Sequence, residues 1–311
     1  MSRPPKLALP LRDGVSASAL ACPAGAWTLV LDFLAERLPL VTRDEWLARL
    51  ARGEVFDERG QPLAPDAPYR GDGRRLYYYR MLAEEPTVPF EERILFQDEF
   101  LLVADKPHFL PVTPKGRYVH QTLLTRLKRR TGIATLTPIH RLDRETAGLT
   151  VFAIRPETRD AYQRLFRERA VEKVYEAVAP APEAAGRALQ FPLRYESRLE
   201  ERSEAFMQMQ ELPGEPNART EIHLLARLRR GLALYELRPE TGRKHQLRAQ
   251  MSALGLPLLG DRIYPVLQPA DSDGDFSAPL QLLARRLAFA DPCTGQRREF
   301  ASGLTLGALA P

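Results

Sequence analysis

The sequence has very little cysteine and no long hydrophobic run. Cys22 and Cys293 are the only cysteines in 311 residues, which excludes a disulfide framework and a zinc site built on several thiolates. No stretch of about 18 apolar residues is present, so a membrane-spanning helix is excluded, and the first residues lack the apolar core of a secretory signal. We therefore expect a protein of the reducing cytoplasm.

Positive charge is concentrated in one part of the chain. The net charge is +5 at pH 7, and residues 1–90 hold twelve basic and twelve acidic side chains, so the excess lies in 91–311. Within that part, the segment 114–144 has eight basic residues against one acid, Asp143. A cluster of this kind attracts polyanions such as nucleic acid, although a solvated helix face has the same composition.

Changes in residue pattern divide the chain into four segments. Residues 1–23 are rich in Pro, Ala and Ser and are expected to form an irregular arm. Residues 24–82 are expected to form a small α/β module with two helices, the second capped by Thr42. A linker at 83–90 precedes a larger unit at 91–311. In that unit the predicted strands outnumber the helices without regular alternation, so we predict an α+β fold whose mixed sheet is mostly antiparallel, with flanking helices.

Two clusters of polar residues could carry chemistry. Residues 140–148 (H-R-L-D-R-E-T-A-G) come directly before a predicted strand and hold Asp143 between two arginines. Opposite charge on both sides suits a carboxylate that acts as nucleophile or base, but a turn salt bridge has the same pattern. Residues 241–248 open a helix with exposed amides and several cationic side chains, which suits an anion or a solvated helix start.

Together, these motifs resemble those of the RluA-type pseudouridine synthases. Residues 140–148 are similar to the family signature H-R-L-D-x-x-T-S/A-G, and the other motifs occur in the family's order. They are the opening hairpin with its K-P turn at 94–111, the K-x-Y motif at 173–175, A-x-T at 218–220, T-G-R-x-H-Q-L-R at 241–248, and the closing L-A-R-R-L at 283–287. The resemblance also implies a catalytic domain of the pseudouridine synthase fold.

The resemblance implies an enzyme that isomerises RNA. In the family a uridine within RNA becomes pseudouridine: the glycosidic bond breaks and the ribose rejoins to carbon 5 of the uracil, without metal or organic cofactor. For this chain it implies an intramolecular transferase that acts as a monomer on specific uridines of structured RNA. Ribosomal RNA is favoured over transfer RNA as the substrate, and no membrane partner is expected.

The resemblance also implies roles for individual residues. Asp143 would be the catalytic aspartate, and whether it attacks the ribose, attacks the base or abstracts a proton stays open. Tyr175 would stack on the flipped uracil, Arg243 would pair with Asp143, and Arg141 would enter the helical stack of the RNA. The further substrate-binding candidates are His140, Thr146, Lys173, Gln246 and Arg248. The candidate phosphate contacts are Lys115, Arg126, Lys128, Arg129 and Arg130.

The N-terminal module invites a second, weaker comparison. Residues 27–80 resemble the alpha-L RNA-binding module that precedes the catalytic domain in many of these synthases. The segments 31–34 and 50–55 are similar to that module, but residues 56–60 place two acids where it has Val-Asn. Because the segment is also neutral overall, RNA binding and a structural or partner-docking role both remain open.

Two other functions stay open at this point. A catalytically silent RNA-binding protein could keep the same fold, although Asp143, Tyr175 and Arg243 are all present. A metal-free hydrolase or nuclease could use His140, Asp143 and His245, and it would release cleavage products, whereas an isomerase leaves the mass of the RNA unchanged. We interpret both histidines as structural, because the family's chemistry does not need them.

Overall fold

Two units of chain are distinguished in the computed structural model. The structure describes residues 7, 9–80, 85–186, 188–202, 208–269 and 275–309. The first unit comprises Met1–Glu85 and Thr125–Ala134, and the second comprises Pro86–Leu124 and Thr135–Pro311. The beginning of the predicted arm (1–6 and 8), the end of the predicted module (81 and 82) and part of the predicted linker (83 and 84) lie outside the described residues.

The first unit is a small sheet with two helices. Its strands pair antiparallel in the order β1-β3-β2. The Thr42 hydroxyl accepts a hydrogen bond from the Glu45 amide at 3.2 Å, which is the cap that the sequence predicts. The elements are β1 (Ser18–Ala21), α1 (Val30–Arg37), α2 (Arg43–Ala51), β2 (Val55–Phe56) and β3 (Arg75–Tyr78). The expectation of an irregular arm over residues 1–23 is wrong for Ser18–Ala21, because these residues form β1 and pair with the aromatic strand β3.

A basic helix contributes to the first unit although it lies far along the chain. In sequence order, β4 (Arg93–Gln97) and β5 (Leu101–Lys106) are followed by α3 (Leu123–Thr131), whose residues from Thr125 onward are grouped with the first unit. Lys128 Nζ donates to Ser16 Oγ at 2.8 Å, and Arg129 lies 3.4 Å from Asp13. The sequence assigned this helix to the larger unit, because its own pattern contains no sign of these partners.

The second unit is built on one large sheet. Its remaining elements are β6 (Thr137–Pro138), β7 (Ala147–Ala153), α4 (Arg159–Arg167), β8 (Glu172–Pro180), β9 (Leu193–Glu201), β10 (Met209–Leu212), β11 (Ala218–Arg227), β12 (Leu232–Pro239), α5 (Gln246–Ala253), β13 (Leu282–Ala290) and β14 (Arg297–Ala301). The strand order is β10-β9-β11-β12-β8-β13-β7-β5-β4, with β14 on β13 and β6 on β7. The described pairings are antiparallel except that of β7 with β13, so the predicted α+β class with a mostly antiparallel sheet is confirmed. In the described part of the chain, no helix is both long and apolar enough to cross a membrane.

The short parallel contact fixes where the motif at 140–148 ends. Ala147 pairs with Leu283 and Gly148 with Ala284. Gly148 has a φ of 108°, and a Cβ there would lie 2.4 Å from the Ala284 carbonyl oxygen. Only glycine tolerates both constraints, so this residue lets β7 approach β13 closely. The loop that carries Asp143 therefore leads into an interior strand of the sheet, β7, between β13 and β5.

Candidate active site

Asp143 lies in the loop between β6 and β7, with its side chain partly open to solvent. The Thr146 amide donates to the Asp143 carbonyl oxygen at 3.2 Å and so closes a turn around it. The carboxylate is 29% exposed. Its Oδ2 accepts a hydrogen bond from Arg248 Nη1 at 3.2 Å, and its Oδ1 lies 3.8 Å from His245 Nε2. The two motifs that the sequence singles out therefore meet at this carboxylate.

Arg248 is a buried cation shared among three carboxylates. Its side chain is 1% exposed and makes two short hydrogen bonds to Asp261, from Nε at 2.8 Å and from Nη2 at 2.7 Å. Nη1 points toward Asp143 and also lies 3.7 Å from Glu145. Burial alone would disfavour the charge, but Asp261, Asp143 and Glu145 together raise the pKa of Arg248 above its usual value. The guanidinium is therefore a fixed positive charge beside Asp143.

The predicted ion pair between Arg243 and Asp143 is not formed. Arg243 is exposed, and its Nε donates to the Asn217 carbonyl oxygen at 3.3 Å. The cation beside Asp143 is Arg248, which the sequence had assigned to substrate binding. The reason is the start of α5 at Gln246: Arg243 precedes the helix in an open turn, whereas Arg248 lies on its buried first turn.

The K-P turn at the end of β5 holds the backbone that follows Asp143. Lys106 is fully buried, and its Nζ donates to three carbonyl oxygens: those of Pro107 at 2.9 Å, Leu110 at 2.8 Å and Arg144 at 3.0 Å. Burial lowers the pKa of Lys106 to about 7, against the opposing effect of Glu145 and Asp143. Because the third of these bonds reaches the residue after Asp143, the turn and the motif loop form one braced structure.

Tyr175 and Lys173 face a small pocket next to this loop. Burial raises the pKa of Tyr175 above its usual value, and the nearby charge of Asp143 raises it further. Lys173 Nζ donates to the Thr241 carbonyl oxygen at 3.0 Å, and burial lowers the pKa of Lys173 to about 8. The pocket is lined by His140, Leu149, Phe166, Lys173, Tyr175, Ala284, Arg286 and Leu287. Its walls are largely apolar, and Lys173 and Arg286 are the charged side chains that line it.

His140 is held in its neutral form by its surroundings. Its Nε2 accepts the Val151 amide at 3.1 Å, and its ring stacks on Phe166 at 4.6 Å. Burial and the charge of Lys173 lower the pKa of His140 to about 3. A ring nitrogen that accepts a backbone N–H has no lone pair left for proton abstraction. This arrangement favours the structural interpretation of His140 and weakens the hydrolase alternative.

His245 is positioned at the start of α5 by an unusual backbone conformation. Its φ is 53°, in the left-handed region, and its Nδ1 lies 3.3 Å from the Tyr264 hydroxyl. Burial lowers the pKa of His245, although the charge of Asp143 opposes the shift. The ring therefore lies between Tyr264 and Asp143.

The side-chain amide of Gln246 makes its hydrogen bonds to the protein itself. Its Oε1 accepts from Thr241 Oγ1 at 2.7 Å and from the Arg243 amide at 3.1 Å. Its Nε2 donates to the Arg219 carbonyl oxygen and to Thr220 Oγ1, both at 3.0 Å. Two acceptor and two donor positions are the full capacity of the amide. The predicted substrate contact through Gln246 is therefore corrected: this side chain ties the start of α5 to β11.

The remaining candidates differ in how open they are. Thr146 is 3% exposed, whereas Arg141 is exposed. Lys128 is 6% exposed and bonded to Ser16, so its predicted role as a phosphate contact is corrected. The other candidate phosphate contacts reach solvent to different degrees: Lys115, Arg129 and Arg130 are exposed, and Arg126 is half-buried.

Sequence reasoning missed two residues of this site. Asp261 had no motif assigned to it, although it follows a glycine in a turn and is fully buried. Lys106 belongs to the K-P turn, and the motif gives it no role of its own. A carboxylate and a lysine in a strongly apolar context are the available signals, because charged residues are rarely buried without a partner.

Comparisons with known proteins point to one family. Residues 100–253 match the family model described as RNA pseudouridylate synthase. A dual-specificity RNA pseudouridine synthase RluA of Escherichia coli is 33% identical over 210 residues, which cover 67% of this chain and 90% of that protein. An uncharacterised RNA pseudouridine synthase of Synechocystis is 32% identical over 240 residues, 76% of this chain and 79% of that protein. Among solved structures, human RNA Pseudouridylate Synthase Domain Containing 4 matches with a TM-score of 0.52 and 27% identity, covering 68% of this chain and 88% of that one.

Proposed function

Since this chain belongs to the RNA pseudouridylate synthase family and is thereby an isomerase acting on RNA, we propose that it converts specific uridines of structured RNA to pseudouridine with Asp143 as the catalytic residue. The observation that carries the assignment is the pairing of Asp143 with Arg248 beside the pocket of Tyr175. A carboxylate that is oriented by a buried cation and still open to solvent can serve as nucleophile or base.

The reaction is an isomerisation, so its substrate and product contain the same atoms. The bond between ribose C1′ and uracil N1 breaks, a bond from C1′ to C5 forms, the proton on C5 leaves, and N1 gains a proton. In this proposal Asp143 attacks the ribose or the base or removes the proton, and its side chain, 29% exposed, is open to a substrate. Tyr175 supports the uracil during its rotation by stacking, which a largely apolar pocket favours.

The uridine must leave the helical stack before it can reach Asp143. Unstacking costs a few kcal/mol, and an inserted side chain can hold the nucleotide out. We assign that role to Arg141, which is exposed and lies two residues before Asp143. Phosphate contacts from Lys115, Arg129 and Arg130 would offset part of this cost.

The test of the reaction is tritium release from RNA that carries 5-tritiated uridine. We expect Asp143→Asn to fall below about a hundredth of the wild-type rate, given the usual size of acid–base contributions, while RNA affinity stays within about threefold because phosphate contacts come from elsewhere. Asp160→Asn is the matched control: this aspartate is exposed on α4 and pairs with Arg164 and Arg167.

Each alternative has its own outcome in this assay. Wild-type protein that binds RNA but releases no tritium from any RNA would favour a silent RNA-binding protein. Shortened RNA products would favour a hydrolase. An Asp143→Asn variant with more than about a hundredth of the rate would remove Asp143 from the chemistry.

The target RNA is a separate part of the proposal. We favour ribosomal over transfer RNA, in the cytoplasm, and both classes of RNA are assayed. Mapping by carbodiimide treatment and primer extension, in cells with and without the gene, identifies the uridine. A modified position that is lost only in transfer RNA would overturn the preference.

A further inference from the structure

A second aspartate, Asp261, binds the same arginine as Asp143. The side chain of Asp261 is fully buried, and its two oxygens accept from Arg248 Nε at 2.8 Å and Nη2 at 2.7 Å. Asp261 is itself held by its turn, because Oδ1 also accepts the amides of Ile263 at 2.8 Å and Tyr264 at 3.1 Å. Gly260 makes the turn possible: its φ is 77°, and a Cβ there would lie 2.5 Å from the Pro279 carbonyl oxygen.

This arrangement divides the guanidinium of Arg248 between two tasks. One edge, Nε and Nη2, is occupied by Asp261, which leaves Nη1 directed toward Asp143 at 3.2 Å. A planar guanidinium held at one edge cannot rotate without breaking both of those bonds. Of the two aspartates, only Asp143 reaches solvent. One carboxylate therefore anchors the cation, and the other remains available to a substrate.

The same turn also positions the second neighbour of Asp143. Tyr264 accepts the Met209 amide through its hydroxyl at 2.6 Å, and this hydroxyl lies 3.3 Å from His245 Nδ1. His245 in turn lies 3.8 Å from Asp143 Oδ1. The turn that contains Asp261 thus also positions His245 through Tyr264, whereas the direct link from the Asp261 side chain toward Asp143 runs through Arg248 alone.

We propose that Asp261 is a positioning residue for the isomerisation: it fixes the Arg248 guanidinium so that Nη1 holds the Asp143 carboxylate in one orientation. This inference rests on the proposed function for its consequence in catalysis, but the geometry that it predicts does not. A displacement of about 1 Å at a reacting group can cost a hundredfold in rate, so a residue that never touches the RNA can control the chemical step.

Asp261→Asn tests the proposal. An amide keeps one acceptor oxygen and places an NH₂ group against a guanidinium N–H, so at least one of the two bonds to Arg248 is lost. We expect the single-turnover rate of tritium release to fall about 10- to 100-fold, while the dissociation constant for RNA changes less than about threefold. If this variant does not fold, Asp261→Glu replaces it, because the longer side chain displaces the guanidinium and should lower the rate in the same way.

Asp291→Asn is a closely matched control. Asp291 is also fully buried, bonds to an arginine (Arg298 Nε, 3.2 Å) and caps backbone amides, those of Cys293 and Thr294, but in another part of the unit. We expect Asp291→Asn to lower the melting temperature about as much as Asp261→Asn and to leave the rate within about threefold. Equal loss of rate in the two variants would show a general effect of stability and overturn the proposal.

A double variant separates positioning through Arg248 from an independent role. If Asp261 acts through Arg248, then Arg248→Gln/Asp261→Asn is no slower than Arg248→Gln alone. Rate losses that multiply would overturn the proposal. A crystal structure of Asp261→Asn supplies a readout that does not depend on activity: we expect Arg248 Nη1 to move beyond hydrogen-bond distance of Asp143. An unchanged distance would overturn the proposal, whereas a wild-type protein without tritium release would overturn only the proposed function.

Discussion

Arg248 donates a hydrogen bond to Asp143 at 3.2 Å across 105 residues of chain. This contact joins the loop before β7 to the first turn of α5 and so assembles the site from two distant motifs. The cation beside Asp143 is therefore a buried arginine, and this arginine also binds a second carboxylate, that of Asp261. The consequences for stability and activity can be measured separately.

Arg248 and Arg243 should differ sharply when each is changed to Gln. Arg248→Gln leaves Asp261 buried without its partner, so we expect it to lower the free energy of unfolding by about 3–5 kcal/mol. It should also slow tritium release at least about a hundredfold. Arg243→Gln removes an exposed side chain and should change the free energy of unfolding by less than about 0.5 kcal/mol. Urea unfolding and single-turnover assays measure both effects, and losses of the same size at the two arginines would contradict the assignment.

Arg141 should matter most where a nucleotide has to be unstacked. On a stem-loop RNA, Arg141→Ala should slow the single-turnover rate strongly, because extrusion of the uridine is then part of the reaction. On a matching unstructured oligonucleotide the loss should be much smaller. Arg130→Ala, an exposed arginine on α3, is the control for a general phosphate contact and should affect both RNAs alike. If Arg141→Ala also affects both alike, Arg141 has no role in flipping.

Lys106 should make stability depend on pH. Its pKa is lowered from 10.5 to about 7 in the folded protein. Between these values the unfolded chain holds a proton that the folded chain lacks, so the free energy of unfolding rises with pH, by at most about 1.4 kcal/mol per unit. The contribution of Lys106 to the free energy of unfolding is fully present above the pKa that this lysine has in the unfolded chain. It is lost as the pH falls to the pKa that the lysine has in the folded protein.

The measurement for Lys106 compares how steeply the free energy of unfolding changes with pH in different variants. Urea unfolding of wild-type protein and Lys106→Met at pH 7, 8 and 9 should give a difference in free energy that grows with pH. Lys244→Met is the control, since Lys244 is exposed and pairs with Glu201 at the surface; its curve should run parallel to that of the wild type. Parallel curves for Lys106→Met would show that this lysine keeps its proton throughout the range.

Activity should not require an added metal. The motif resemblance implies chemistry without a metal, and in the described ranges no three His, Cys, Asp or Glu side chains are grouped to hold an ion. We expect tritium release from a short unstructured RNA to persist in EDTA. The short substrate matters because magnesium also folds RNA. Loss of activity in EDTA that is restored by a divalent ion would contradict this expectation.

The local parts of the structure could be predicted from the sequence. The cap of α2 depends on Thr42 and Glu45, which are three residues apart, and the helical pattern that follows needs no distant partner. Asp143 could be located because the motif at 140–148 is continuous along the chain. Both depend on neighbours in sequence.

The strands without an apolar pattern could not be predicted in the same way. β9 and β14 are rich in Arg and Glu, and β10 is short. Their strand character comes from pairing: β9 with β11, and β14 with β13. Such residues form strands because a neighbouring strand supplies hydrogen bonds, and that neighbour lies elsewhere in the chain.

The sequence by itself determined which residue types the site contains and in what order. It could not determine which of two arginines, Arg243 or Arg248, meets Asp143, because a run of donors at a helix start presents both. Only the tertiary structure decided this, through the start of α5 and the buried turn of Asp261. The physical reason is that a buried charge must find a partner, and that partner is chosen by which distant segments the sheet brings together.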